Sequence, residues 1–165
     1  MKNNIQIDNL VNQNQFVGKV AEFWCLEWGS DKTEQGIAKK KVKIEQGLSL
    51  DKVPQIIIAF EKDQCIGTIA IVEDDLEKRL DLTPWLASVY VDKDFRGHGI
   101  AQRLIEAAIR KAKDMGIKKI YLHTETAHGL YEKMGWKYLS ETTNDRDEPT
   151  TVYSYDIFGA FSDND

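Results

Sequence analysis

The sequence predicts an α/β domain built around one mixed sheet. Three observations lead there: an element order that reads ααββ and then βαβαββ, apolar stripes at helical spacing alternating with β-branched runs, and a full complement of core side chains. At 165 residues, 42% hydrophobic and 30% charged, a single domain of this size buries a real core without disulfide or metal support. The formal charge of -5 repels a phosphate backbone, which argues against a general nucleic-acid binder. Cys25 and Cys65 both sit in apolar patterns, and two cysteines make neither a disulfide framework nor a four-ligand zinc site. Met1 to Asn14 has no apolar leader pattern, and the longest aliphatic stretch, Ile56 to Phe60, falls far short of the ~20 residues that span a bilayer. A cytoplasmic protein without membrane association is expected.

The elements follow from periodicity. Phe16, Val17, Val20, Ala21, Trp24 and Trp28 form one apolar stripe on a first helix ending near Gly29. Asp31 with Glu34 reads as a capping box opening a second helix, with Ile37, Ile44 and Leu48 inward and Lys39, Lys40, Lys41 and Lys43 on a solvated face. Gln55 to Phe60 and Cys65 to Val72 flank the polar turn Glu61 to Gln64 as an antiparallel hairpin, in which Gly67 marks a bulge or a close approach. After the charged excursion Glu73 to Asp81, Trp85 to Val91 is a strand. A helix then runs to about Met115 and stops at Gly116, burying Ile100, Ala101, Leu104, Ile105, Ala108, Ala112 and Met115, with Glu106 and Arg110 paired on its wet side. Lys118 to Thr124 is a strand, Ala127 to Met134 a short helix closed by Gly135, and Trp136 to Glu141 and Thr151 to Ile157 are the last two strands.

The most informative stretch is Val89 to Ala101, which joins a strand to a helix through Arg96-Gly97-His98-Gly99. Such a turn presents unpartnered amides and the positive end of the helix dipole, an arrangement suited to a phosphate, although a tight turn that merely needs glycines has the same look. Arg96 to Lys119 holds seven basic residues against two acidic ones, a local +5 that leaves -10 on the remainder. That concentration is what a polyanionic ligand requires. The dinucleotide fingerprint fails because Gln102 stands where its third glycine belongs, no Gly-Lys-Ser/Thr occurs, and strands on both sides of the helix argue against a helix-turn-helix reader.

Arg96-Gly97-His98-Gly99-Ile100-Ala101 resembles the pyrophosphate signature of the GNAT superfamily of acetyl-CoA-dependent N-acetyltransferases. Ala127 to Trp136 resembles its second signature, a short helix of the Ala-x-x-Leu-Tyr-Glu-Lys-x-Gly-Phe type, and the two occur in the family's order and spacing. The resemblance implies a mixed, mostly antiparallel sheet flanked by helices, with a V-shaped splay where Trp85 to Val91 parts from Lys118 to Thr124. It implies one N-acetyltransferase domain over 1–165, with N-terminal helices (about 10–48) on the acceptor side and a cofactor core over about 55–157. It also implies acetyl-CoA as co-substrate, bound by Val89, Tyr90, Val91, Arg96, Gly97, His98, Gly99, Ile100, Ala101 and Tyr131, with Arg103 a second source of charge; no metal is expected, because no His, Cys or Asp spacing suggests one. Three residues depart from the pattern: Lys93 where proline is common, Trp136 for the usual phenylalanine, and Thr124 where an asparagine often contacts the cofactor.

Amide formation needs a neutral amine, a donor to the developing oxyanion and a proton for the leaving thiolate. Tyr131 is the candidate acid, since a phenol of pKa about 10 can protonate a thiolate without itself being ionised at neutral pH, its other reading being a core aromatic beside Leu130. The oxyanion donor is expected to be the Val91 amide. For the base the candidates are Glu125 and a water relay held by Ser88 and His123, while His98 and His128 read as local hydrogen-bonding or surface residues. Asp74, Asp75, Asp81 and the loop Asp145 to Glu148 either favour a cationic acceptor or form a solvated surface. The acceptor is expected to be a small-molecule amine or a peptide or protein amine, and exposed sheet edges allow a homodimer. The rival reading is a non-catalytic module of the same fold that senses acyl-CoA or binds a partner.

Overall fold

The computed structural model describes residues 4–159. In chain order the elements are β1 (Gln6–Asn9), a 3-10 segment (Leu10–Phe16), α1 (Val17–Trp28), α2 (Glu34–Gly47), β2 (Gln55–Glu61), β3 (Gln64–Val72), β4 (Trp85–Val91), α3 (Ile100–Asp114), β5 (Lys119–Thr124), α4 (His128–Lys133), β6 (Lys137–Thr143) and β7 (Pro149–Asp156). The seven strands hydrogen-bond in the order β1-β2-β3-β4-β5-β7-β6. The pairs β1/β2, β5/β7 and β6/β7 are antiparallel. β4 and β5 are parallel and share a single register pair, Trp85↔Tyr121, at the first residue of β4. This is the α/β, mostly antiparallel architecture expected from the sequence.

The chain falls into two compact units, one of Met1–Ala70 with Ser88–Ala108 and the other of Ile71–Ala87 with Ile109–Asp165. The first packs α1 through Val17, Val20, Ala21, Phe23 and Cys25, and buries β2 almost completely. Its share of α3 is buried at Ile100, Leu104, Ile105 and Ala108, the spacing of one helical face. The second unit has Leu76, Trp85 and Val152 at its centre, with Val72, Leu82 and Tyr121 packed against them.

Several local expectations are corrected. β1 had no counterpart in the sequence reading because Gln6-Ile7-Asp8-Asn9 is a polar edge strand, recognisable only by its pairing with Ile57–Phe60. The cap of α2 is Thr33, whose Oγ1 accepts from the Gly36 amide at 3.2 Å, while Asp31 instead accepts from the Thr33 amide and hydroxyl. Trp28 ends α1 44% exposed, and Phe23 takes the buried place in the stripe. Ile44 alone of the three inward residues of α2 is buried, with Ile37 and Leu48 half-buried. On α3, Glu106 accepts from Gln102 Nε2 at 3.3 Å rather than from Arg110. No helix among the described residues is long and apolar enough to cross a membrane.

Candidate functional site

In the first unit the candidate site is made of main chain. Gly97 and Gly99 have φ of +82° and +75°, left-handed values that a side chain resists, and a Cβ at either would meet nothing within 4 Å. Conformation, not crowding, requires these glycines, and the face they present is open. The first intrahelical bond of α3 runs from the Arg103 amide to Gly99 O at 3.2 Å, so the amides of Ile100, Ala101 and Gln102 point out of the helix end without helical acceptors. Ile100 commits its side chain to the core, leaving only its amide for a ligand. Asp92 caps the preceding turn by accepting from the Asp94 amide at 3.2 Å, so Lys93 sits in a turn that holds without proline.

The charged and aromatic candidates nearby are tethered. Arg96 Nε donates to Val91 O at 2.8 Å, and its guanidinium lies 5.7 Å from the Tyr90 ring, binding the turn back to β4. Arg103 Nη2 donates to Ile5 O at 2.9 Å. The Tyr90 ring packs on Phe23 (4.7 Å) and Trp28 (6.3 Å) of α1, so of this residue the main chain is what faces away from the aromatic cluster. His98 is exposed. β3 lies flush against this stretch: a Cβ on Gly67 would stand 2.8 Å from Tyr90 O, which identifies Gly67 as a close-approach glycine.

In the second unit the candidates are side chains. Tyr131 on α4 is 7% exposed and packs edge-on against Trp136 at 6.0 Å. Burial pushes its phenol above the ordinary value of 10.0, which keeps it neutral and able to donate a proton. Thr124 Oγ1 accepts from the Thr126 and Ala127 amides at 3.3 and 2.9 Å, so this departure from the family pattern serves the turn into α4. Glu125 Oε1 accepts from Asn144 Nδ2 at 2.7 Å and lies 3.8 Å from His123 Nδ1, with the carboxylate side chain 39% exposed.

His123 occupies both ring nitrogens. Nε2 donates to Asp75 Oδ2 at 2.9 Å, and Nδ1 is 3.0 Å from Thr150 Oγ1. Burial alone would push its pKa down, but the hydrogen bond and charge of Asp75, with the charges of Glu125 and Asp145, hold it above the ordinary 6.5. Asp75 and Thr150 were not legible as its partners, nor Asn144 as that of Glu125, because they come from separate loops and strands and carry no spacing signal. His128 bonds locally, with Nδ1 3.2 Å from the Tyr153 hydroxyl and Nε2 3.2 Å from Glu125 O. Of the other acids, Asp81 is held by Arg79 at 3.0 Å, Asp147 by Lys78 at 3.1 Å, and Asp145 accepts from the Glu77 amide. A depression of ≈ 520 Å³ is lined by Glu125, His128, Glu141, Thr142, Thr143, Pro149, Thr150 and Thr151.

A family model described as the acetyltransferase (GNAT) family matches residues 14–136. The chain belongs to that family. N-alpha-acetyltransferase 30 of Schizosaccharomyces pombe is 31% identical over 83 residues, which are 48% of this chain and 55% of that protein. N-acetyltransferase 8B of Homo sapiens is 34% identical over 88 residues, 48% of this chain and 37% of that protein. The chain therefore spans about half the length, or less, of the curated relatives it matches. Among solved structures, an aminoglycoside 6'-N-acetyltransferase complexed with coenzyme A superposes with a TM-score of 0.70 at 16% identity, covering 92% of this chain and 97% of that one. The GNAT fold read from two short signatures is thus the fold of the chain.

Proposed function

We propose that the chain is an N-acetyltransferase that moves the acetyl group of acetyl-CoA to a primary amine by direct attack in a ternary complex. The observation that carries this reading is the turn Arg96 to Ala101, whose left-handed glycines, open face and helix-end amides fit a pyrophosphate. The surrounding +5 supports it, as does the coenzyme A held by the aminoglycoside 6'-N-acetyltransferase of like fold. The metal-free expectation is kept for the reaction, since each of its proton transfers has a candidate side chain.

Acetyl-CoA supplies the acetyl group as a thioester. The main chain of Val89 and Val91 would pair with the pantetheine amides as an added strand does, and the amides of Gly97 to Ala101 would hold the pyrophosphate, with Arg96 and Arg103 adding charge. Glu125 takes the proton that the attacking nitrogen loses as the C–N bond forms. The Val91 amide donates to the carbonyl oxygen while that oxygen is negative. As the C–S bond breaks, Tyr131 gives its proton to the departing sulfur. The neutral phenol suits it to this task. The balance is amine plus thioester giving amide plus thiol. With both His123 nitrogens engaged, a carboxylate base is favoured over a relay water held by that ring.

The acceptor belongs to the amine class, either a small molecule or the amine of a peptide or protein. The relative named N-alpha-acetyltransferase 30 makes peptide N-termini one arm of the panel, and the aminoglycoside neighbour makes aminoglycosides another. The test is thiol release from acetyl-CoA, followed spectrophotometrically, with polyamines, aminoglycosides, amino acids and basic N-terminal peptides as acceptors, alongside calorimetric titration with CoA. Turnover with one class establishes the transferase and names its acceptor. CoA binding with silence across the panel moves the reading to the non-catalytic sensor or to an acceptor outside the panel, and the absence of CoA binding overturns it.

A further inference from the structure

Ser88, in the middle of β4, has φ of +56°. A non-glycine residue in the left-handed region is strained and persists only where its surroundings over-determine it. Those surroundings are specific. Trp24 Nε1 donates to Thr68 Oγ1 at 2.9 Å, and Thr68 Oγ1 donates to Ser88 O at 2.9 Å. An indole N–H is only a donor and a threonine hydroxyl carries one proton, so the direction of the relay is forced: Trp24 to Thr68, then Thr68 to the Ser88 carbonyl. Thr68 is fully buried, so neither water nor a second protein conformation replaces these bonds cheaply.

The same stretch of β3 grips β4 further along. The Asp92 amide donates to Ile66 O at 2.7 Å, and Gly67 brings its backbone against Tyr90 O. The main chain from Ser88 to Asp92 is therefore held at both ends by Ile66–Thr68, and its upstream end depends on a hydroxyl and an indole. A left-handed residue inside a strand resets which edge the following amides face, as in a β-bulge. We propose that Trp24 and Thr68 are positioning residues for the cofactor strand, locking Ser88 in its left-handed conformation so that Val89 and Val91 present their amides to the pantetheine arm.

This rests on the acetyl-CoA reading, and the experiment separates the two. Acetyl-CoA and adenosine 3',5'-bisphosphate, which has phosphates and adenosine but no pantetheine, are titrated calorimetrically against the wild-type protein, Thr68→Val, Thr68→Ser and Trp24→Phe. Thr68→Val removes both bonds of the relay, and release of the Ser88 carbonyl is expected to weaken acetyl-CoA about tenfold. The bisphosphate is expected to bind as in wild type, and Thr68→Ser, which restores the hydroxyl, to recover acetyl-CoA affinity. Trp24→Phe keeps a smaller aromatic ring, removes the donor, and carries the test by the same selective loss where Thr68→Val does not fold. Equal weakening of both ligands would mean a merely structural role and overturn the inference, as would unchanged acetyl-CoA affinity. A wild-type protein that binds neither ligand would instead overturn the cofactor reading on which the inference stands.

Discussion

The unit containing Ser88–Ala108 offers a ligand mostly main chain, whereas the unit containing Glu125 and Tyr131 offers side chains. In the first, Gly97 and Gly99 contribute conformation alone, Ile100 and Tyr90 turn their side chains into packing, and Arg96 is tied to Val91 O. In the second, the candidates are a buried phenol and a carboxylate fixed by Asn144, beside a histidine bonded on both nitrogens. A site of amides and helix dipole does not titrate and tolerates many side chains, but it fails when a Cβ forces the backbone to move. A site of side chains keeps its backbone through substitution and responds to charge and pH. The two units should therefore fail in different ways.

The largest expected effect is at Gly99. Gly99→Glu combines strain at φ of +75° with a negative charge at the proposed pyrophosphate position. Opposing a polyanion while losing the turn should remove at least ~3 kcal/mol of binding, more than a hundredfold in CoA affinity. Calorimetric titration checks it, and unchanged affinity would remove the phosphate turn from the site. Arg96→Gln sharpens the contrast: a charge at the edge of a main-chain site should cost only about fivefold.

Next comes the side-chain site. Tyr131→Phe should lower kcat by ~10² while the dissociation constant for CoA stays within about twofold, the pattern of an acid used only as the thiolate leaves. Equal turnover would dismiss Tyr131 as the acid, and lost CoA affinity would make it a binding residue. Glu125→Gln should act less on the maximal rate than on its pH dependence, shifting the profile. A profile identical to wild type would return the base to a water relay.

What was legible in the sequence divides along the same line. The bounds Trp85–Val91 of β4 and the turn after it are as read, because β-branched residues and glycines mark backbone conformation directly. Tyr131 was singled out by its place in a short motif, which did not show how deeply the fold buries it. Hidden were features built from pairs distant in sequence: Asp75 with His123, Trp24 with Thr68, Asn144 with Glu125. Polar side chains of this kind look alike whether solvated or buried, and only the fold brings them together. β1 was missed for a related reason, since a polar edge strand has no alternation to read. The capping box at Asp31 failed because three candidate oxygens compete within a few residues, and Thr33 stands at the position from which Gly36 can be reached.

The smallest effect is the one that pH should expose. The imidazole of His123 titrates above its ordinary 6.5 because burial, which opposes its charge, is outweighed by Asp75, Glu125 and Asp145. With the folded value raised over the unfolded one, the stabilisation is fully present below about 6.5 and is lost as pH rises through the folded value. Urea unfolding of wild type and His123→Gln at about pH 5.5 and 8.5 reads it as a difference of midpoints. The wild-type advantage should be largest at the lower pH and shrink at the higher. An advantage equal at both would mean that His123 is held by packing and neutral hydrogen bonds, and would remove pH-dependent stabilisation from the contrast between the two units.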